Sequence, residues 1–255
     1  NILARSRESI FWNVNFSYDH QAMHVRKNFL PSPLSIQGEL PLQEMQRVFV
    51  DEARLKCRQI VDGTSPLFAV IVGPCSIHEE KSAIQYALRL QKLAKEVAGS
   101  LFLVMRLFFE KPRTQLGWKG ILYDPDLDGS HNIAKGIREA RKLLLKVAEL
   151  EVPCASELLD PLAAEYLSDL ISWGFVGART SASPLHRQMA SGLPFPVGFK
   201  NTLQGEVDIA ASAVLASRAP QSHLGITEEG SICQIDTFGN PWTHVVLRGS
   251  QTKPN

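Results

Sequence analysis

Apolar positions along the chain fall into two alternating kinds of run. Residues 67–72, Leu-Phe-Ala-Val-Ile-Val, are apolar throughout and are followed by Gly73 and Pro74. A short run that is apolar at every position predicts a strand buried on both faces. Residues 79–97 then place Ala83, Tyr86, Ala87, Leu90 and Leu93 on one face of a helix. The pair recurs, with strands at 101–107, 153–157, 175–179, 195–200 and 244–248, and helices at 133–150, 161–173, 184–191 and 206–217. Ahead of the first strand, residues 42–61 carry Met45, Val48, Val50, Ala53, Leu55 and Ile60 among charges, which predicts an amphipathic helix closed by Gly63 and Pro66. Residues 223–227 and 232–235, separated by a turn at Gly230, predict an inserted hairpin. Residues 1–40 show no clean period and read as an arm, with apolar patches at Ile10-Phe-Trp12 and Phe29-Leu-Pro-Ser-Pro33.

Apolar strands alternating with amphipathic helices imply a parallel sheet covered by helices. No Gly-x-Gly-x-x-Gly follows any strand, so the pattern favours a (β/α)8 TIM barrel over a dinucleotide-binding fold. About six of the eight barrel strands are present. The expectation is therefore an N-terminal arm and helix over 1–62, serving assembly or regulation, and a barrel over 63–255 that lacks its carboxyl end.

Composition narrows the class. The 255 residues are 44% hydrophobic and 21% charged, with a net charge of +1. That balance gives no overall pull toward nucleic acid or a membrane surface. Cys57, Cys75, Cys154 and Cys233 are far apart with no Cys-x-x-Cys, which argues against a disulfide framework or zinc ribbon and leaves the reducing cytoplasm as the expected compartment. No apolar run has membrane-spanning length.

Against that neutral background one segment is unusual. Met105 to Gly120 leaves an apolar strand and places Arg106, Lys111, Arg113 and Lys119 in one loop with a single carboxylate, Glu110. By spacing alone it reads equally as a solvated basic loop or as an anion pocket. The repeat resolves the choice. Cys75, Arg106, Glu157, Arg179, Lys200 and Arg248 each fall at or just past the carboxyl end of a different predicted strand. In a barrel those ends converge on one face, and four cations gathered there repel one another unless they share anionic ligands. The residues thus predict a site for a molecule bearing two or more phosphate or carboxylate groups.

Several segments resemble, in order and spacing, the type I 3-deoxy-D-arabino-heptulosonate-7-phosphate (DAHP) synthases. They are Gly73-Pro-Cys-Ser-Ile-His78, Met105 to Gly120, Gly177-Ala-Arg-Thr180, His186-Arg187, Ala190-Ser-Gly192, Pro196-Val-Gly-Phe-Lys-Asn201 and Leu247-Arg-Gly249. The resemblance implies condensation of phosphoenolpyruvate with erythrose 4-phosphate, the first step toward the aromatic amino acids. By that resemblance Arg106 and Lys200 hold the phosphoenolpyruvate carboxylate. Lys111, Arg179, Arg248 and the Ala178 amide hold its phosphate. Arg113 and Thr114 take the phosphate of the sugar, and Lys111 with Glu157 manages the proton of the attacking water. It further implies a divalent metal (Mn2+, Fe2+ or Co2+) ligated by Cys75, with the remaining ligands absent from this chain; His78 and His186 are expected to orient loops. Met189, Pro194, His223 and Gly225 match a pocket in which family members bind an aromatic amino acid as inhibitor, and relatives form dimers or tetramers. The sequence departs from the family at Ser250, where a glycine is usual, and at Pro194 and His223. A barrel that is catalytically silent and binds phosphoenolpyruvate or an aromatic amino acid as a regulatory subunit is the alternative.

Overall fold

A computed structural model describes residues 25–250. Its order of elements is helix α1 (Pro33–Glu39), α2 (Glu44–Val61), β1 (Phe68–Val72), α3 (Glu80–Val97), β2 (Leu101–Arg106), α4 (Ile133–Glu149), β3 (Cys154–Glu157), α5 (Pro161–Leu167), β4 (Trp173–Val176), α6 (Pro184–Gly192), β5 (Val197–Lys200), α7 (Asp208–Arg218), β6 (Gln221–Ile226), β7 (Ile232–Thr237) and β8 (His244–Val246). Six strands pair in parallel in the order β1-β2-β3-β4-β5-β8, and β6 and β7 form a separate antiparallel hairpin. This is the predicted β/α barrel in part, an open six-stranded arc with helices outside.

The central strands are the most deeply placed: β4, Trp-Gly-Phe-Val, is buried at every position, and so is β3, although it ends in Ser156 and Glu157. Outside them, α4 turns Ile137, Ala140, Leu143, Leu144 and Val147 inward. Each large apolar side chain so buried contributes about 1.5–3 kcal/mol by leaving water. The same helix buries Arg141, whose guanidinium reaches the carbonyls of Leu40 and Tyr166 and grips Asp169 with two bonds of 2.8 and 2.7 Å. That clamp fastens the segment before α2 to the barrel. Ile36 of α1 and Val50 of α2 belong to the same apolar cluster as the barrel helices.

Several element boundaries shift by a residue or two from the sequence reading, and three differences have a clear structural reason. The helix expected over 161–173 stops at Leu167, passes through a 3-10 turn at Ser168–Leu170, and gives way to β4, because Trp173 pairs with Ala155 of β3. The strand expected to reach residue 179 ends at Val176, since Thr180 and Ser181 both donate backbone bonds to the Gly177 carbonyl and close a turn. Inside the segment read as an arm lies α1, capped by Ser32 and started by Pro33; only Pro33 and Ile36 are buried, too few for an apolar period. The patch at Phe29 is exposed. The patch at Ile10 and Trp12 lies outside the described residues.

Candidate active site

Parallel pairing puts the carboxyl ends of the six sheet strands on one rim, and the predicted polar residues stand there. Arg106 ends β2, Glu157 ends β3 and Lys200 ends β5; Cys75, Arg179 and Arg248 follow β1, β4 and β8. Two glycines make the crowding possible. At Gly73 (φ 156°) a Cβ would lie 2.6 Å from the Arg106 carbonyl, and at Gly120 (φ 107°) one would lie 2.2 Å from the Phe109 carbonyl. Any side chain at either place would push the basic loop off the strand ends.

Short contacts hold these cationic residues at the rim. The Arg106 guanidinium lies 4.0 Å over the Phe108 ring and donates to the Cys75 carbonyl at 3.1 Å. Lys200 Nζ lies 5.1 Å from the same ring and 2.7 Å from Glu157 Oε2. Lys111 Nζ is 3.5 Å from both Cys75 Sγ and Ser76 Oγ. Asn201, the neighbour of Lys200, exchanges bonds with the Arg248 backbone: Arg248 N donates to its Oδ1 at 2.7 Å, and its Nδ2 donates to the Arg248 carbonyl at 3.1 Å. Arg179 Nε donates to Thr114 Oγ1 at 2.9 Å, and Arg113 Nε to the Trp118 carbonyl at 2.7 Å. Ala178 is half-buried at the start of the turn that carries Arg179.

Among these cations only Lys200 has an ion pair among the described residues. Arg106 Nε and one terminal nitrogen of Arg248 are buried with no hydrogen-bond partner. Buried charged donors left without acceptors are costly, and an anionic ligand would remove the cost. A cavity of about 400 Å³ opens at the basic loop, lined by Lys111, Arg113, Lys119, Arg179, Tyr123 and Leu159.

Beneath the cavity is a carboxyl network that the sequence reading did not find. Glu110 is 5% exposed and accepts from the backbone N–H groups of Leu159 and Asp160, each at 3.1 Å. Tyr123 Oη lies 3.0 Å from Asp160 Oδ2 and 3.3 Å from Glu110 Oε1. Burial pushes the Glu110 carboxyl up to about 8, helped by the nearby Asp160 carboxylate and opposed by the two backbone donors. Nothing in the spacing of Glu110, Tyr123 and Asp160 marks them as neighbours. Asp160 also has the sequence signature of a helix cap, and Oδ1 does accept from Leu162 N.

His186 does orient a loop: its Nε2 is 2.7 Å from the Leu159 carbonyl and its Nδ1 2.9 Å from Ser183 Oγ. His78 is exposed. A metal centre needs several donors converging on one point. No group of three or more His, Cys, Asp or Glu side chains does so among the described residues. Cys75 is exposed, and the Lys111 ammonium beside its sulfur would compete with a metal for the thiolate. The described residues therefore do not make up a divalent-metal centre.

The four residues expected to form an effector pocket line a second cavity together. Met189, Pro194, His223 and Gly225 enclose about 240 Å³ between α5, α6 and the hairpin, with Glu165, Leu162, Leu185 and Ile235. Burial holds Glu165 above the usual carboxylate range, with His223 pulling it down and Glu228 pushing it up.

A partial parallel β/α barrel with a cationic rim at its strand ends is the class that fold and site define. The chain belongs to the DAHP synthetase I family, whose sequence profile matches residues 39–255. It is 45% identical over 226 residues to the Tyr-sensitive phospho-2-dehydro-3-deoxyheptonate aldolase of Escherichia coli K12, covering 89% of this chain and 63% of that protein. It is 45% identical over 231 residues to the Trp-sensitive enzyme of Escherichia coli O157:H7, covering 91% of this chain and 66% of that one. The solved structure of the phospho-2-dehydro-3-deoxyheptonate aldolase of Francisella tularensis SCHU S4 superposes with a TM-score of 0.88 at 41% identity, over 90% of this chain and 67% of that one. The chain thus spans roughly two-thirds of the length of these relatives.

Proposed function

We propose that this chain forms most of the active face of a DAHP synthase, which joins phosphoenolpyruvate to erythrose 4-phosphate and water to give DAHP and phosphate. The observation that carries the reading is the pair of buried, unpartnered guanidinium nitrogens of Arg106 and Arg248 on a rim where, among the described residues, only Lys200 has an ion pair. Phosphoenolpyruvate brings a carboxylate and a phosphate to such a rim. Arg106 and Lys200, which share the Phe108 ring, take the carboxylate. Lys111, Arg179, Arg248 and the Ala178 amide take the phosphate, and Arg113 with Thr114 takes the phosphate of the sugar.

The chemistry left to the protein is charge and proton management. Carbon 3 of the enol phosphate bonds to the aldehyde carbon, and the aldehyde oxygen gains a proton. Water adds to the electron-poor carbon 2 and gives up one proton to the Glu157 carboxylate or through Lys111. The bond from carbon 2 to the phosphate oxygen then breaks, the second water proton leaves, and the ketone and inorganic phosphate result. Fixed cations around both phosphates offset the charge gathered by bringing two anions together.

The test is to supply the native gene product with both substrates and a manganese salt and measure released phosphate, with arabinose 5-phosphate in parallel. Release with erythrose 4-phosphate alone is the expected result; no release refutes the reading. A second reading, a silent barrel that binds phosphoenolpyruvate or an aromatic amino acid, is favoured by the lack of a metal-donor group among the described residues. It predicts calorimetric binding without phosphate release.

The second cavity, in this proposal, takes an aromatic amino acid as inhibitor. Relatives named Tyr-sensitive and Trp-sensitive support that assignment. The arm and helix over 1–62 are proposed to serve assembly into a homodimer or homotetramer, which sedimentation velocity tests.

A further inference from the structure

Several bonds hold the basic loop to its surroundings: Ile77 N donates to the Phe108 carbonyl at 2.9 Å, Arg179 Nε to Thr114 Oγ1 at 2.9 Å, and Lys111 Nζ reaches Cys75 and Ser76. Lys111 N donates to the Lys119 carbonyl at 2.8 Å, which closes the loop on itself without fixing it to the barrel. A buried tie comes from Glu110, immediately before it. Its two oxygens accept from Leu159 N and Asp160 N, on the segment between β3 and α5, and it faces the hydroxyl of Tyr123. Leu159 and Tyr123 are themselves walls of the 400 Å³ cavity, together with Arg179, Lys111 and Arg113. We propose that Glu110 is a positioning residue whose buried carboxyl, set between the basic loop and the Leu159–Asp160 backbone with Tyr123 as a bridge, fixes the width of the phosphate-binding cavity. The inference rests on the cavity taking a phosphate group, as in the reading above.

Geometry gives the reasoning its direction. The cations that meet the phosphate are on long, flexible side chains, so their convergence depends on the backbone that carries them. Arg113 and Lys119 are exposed, and Arg179 reaches them only through Thr114. Without the Glu110 tie, the exposed Arg179–Thr114 bond is left to join the loop to the far wall, and bidentate capture of one phosphate by cations from both sides loses preorganisation. The groups facing Glu110 are Asp160 from the segment before α5 and Tyr123 from the segment after the loop; no cation pairs with it among the described residues. A neutral acid can donate to Tyr123 Oη while that hydroxyl donates to Asp160, which gives each shared proton one acceptor. Such a chain fits a carboxyl that burial keeps protonated up to about 8.

The experiment measures equilibrium binding of inorganic phosphate and of erythrose 4-phosphate to the full chain and its variants. Glu110→Ala weakens both roughly tenfold, because positional looseness of about an ångström is enough for such losses. Phosphoenolpyruvate's carboxylate contacts at Arg106 and Lys200 are left in place. Tyr123→Phe, which keeps the ring and the fold, weakens phosphate about threefold or more. Glu110→Gln, which keeps an acceptor oxygen and the shape of the neutral acid, recovers binding to within about threefold of the parent. In the active protein the same variants raise KM for the sugar phosphate while kcat stays within about threefold, a split that a general loss of folded protein does not produce. Unchanged phosphate binding in folded Glu110→Ala or Tyr123→Phe overturns the inference. If the parent binds phosphate but releases none from the substrate pair, the synthase reading fails while this inference is still judged by the variants' phosphate affinities.

Discussion

The Glu157–Lys200 pair makes opposite predictions for its two ends. Nζ and Oε2 are 2.7 Å apart; the glutamate side chain is 6% exposed and the lysine 21%. Lys200→Met keeps the stem that packs near Phe108 and Phe175 but strips the carboxylate of its partner. Leaving one buried charge alone costs about 3–5 kcal/mol in a closed interior. The rim is open, so the expected loss is about 2–3 kcal/mol. Glu157→Gln costs less, about 1–2 kcal/mol, because an amide oxygen still accepts from the ammonium and the more exposed lysine can reach water.

Ligand binding separates the two further. If Lys200 holds the phosphoenolpyruvate carboxylate as proposed, Lys200→Met removes a charge-assisted bond worth about 1.5–3 kcal/mol, so affinity falls roughly 10- to 100-fold. Glu157→Gln frees the ammonium from its competing carboxylate, so affinity holds or improves, while turnover falls about 100-fold or more through loss of the proton acceptor. Urea melts, phosphoenolpyruvate titration and phosphate release on both single variants and the double variant give the coupling directly. If Lys200→Met binds phosphoenolpyruvate like the parent, or both variants weaken binding equally, the rim does not hold the carboxylate and the argument fails.

Other outcomes follow from single groups. Asp169→Ala leaves the buried Arg141 guanidinium with only the Leu40 and Tyr166 carbonyls, and it lowers stability by about 2–4 kcal/mol in urea melts. Glu110 ionises near 8 in the folded chain, above its ordinary value of 4.5. Its contribution to stability is therefore complete below about 4.5 and is lost as pH rises through about 8, because the unfolded chain sheds the proton first. Glu110→Gln should flatten that fall in the urea midpoint, and parallel slopes for parent and variant would contradict it. Alkylation followed by mass spectrometry should label exposed Cys75 first. Cys57, whose thiol burial pushes up to about 12, and fully buried Cys154 should stay unlabelled until the chain unfolds. Lys111 Nζ is 3.5 Å from the Cys75 sulfur, so on the proposed reading added phosphoenolpyruvate should slow the first reaction.

The strands were readable because a strand buried on both faces must be apolar at each position, and Leu101 to Val104 or Val197 to Phe199 can be little else. From there the rim followed by topology: parallel strands put Arg106, Glu157 and Lys200 at one end whatever the helices do. Boundaries were less legible. Trp173 fits a helix face by spacing, and only its partner across β3 makes it a strand. Pro33 starts a helix that buries too few apolar residues to show a period.

The carboxyl network was hidden for a different reason. Glu110 lies 49 and 50 residues from the two amides it accepts from, and neither amide belongs to a side chain that a motif can display. Chemistry borne by charged side chains at strand ends can be inferred from repetition, because each repeat puts its residue in the same place. A support made from a buried acid and two loop amides has no repeat to betray it. The spacing of Lys111, Arg113 and Lys119 says that a phosphate could be met there; what sets how far apart the two walls of the cavity stand is written only in contacts between Glu110, Tyr123 and residues 159–160. Substitutions that alter phosphate affinity without altering any cation should therefore collect at those positions.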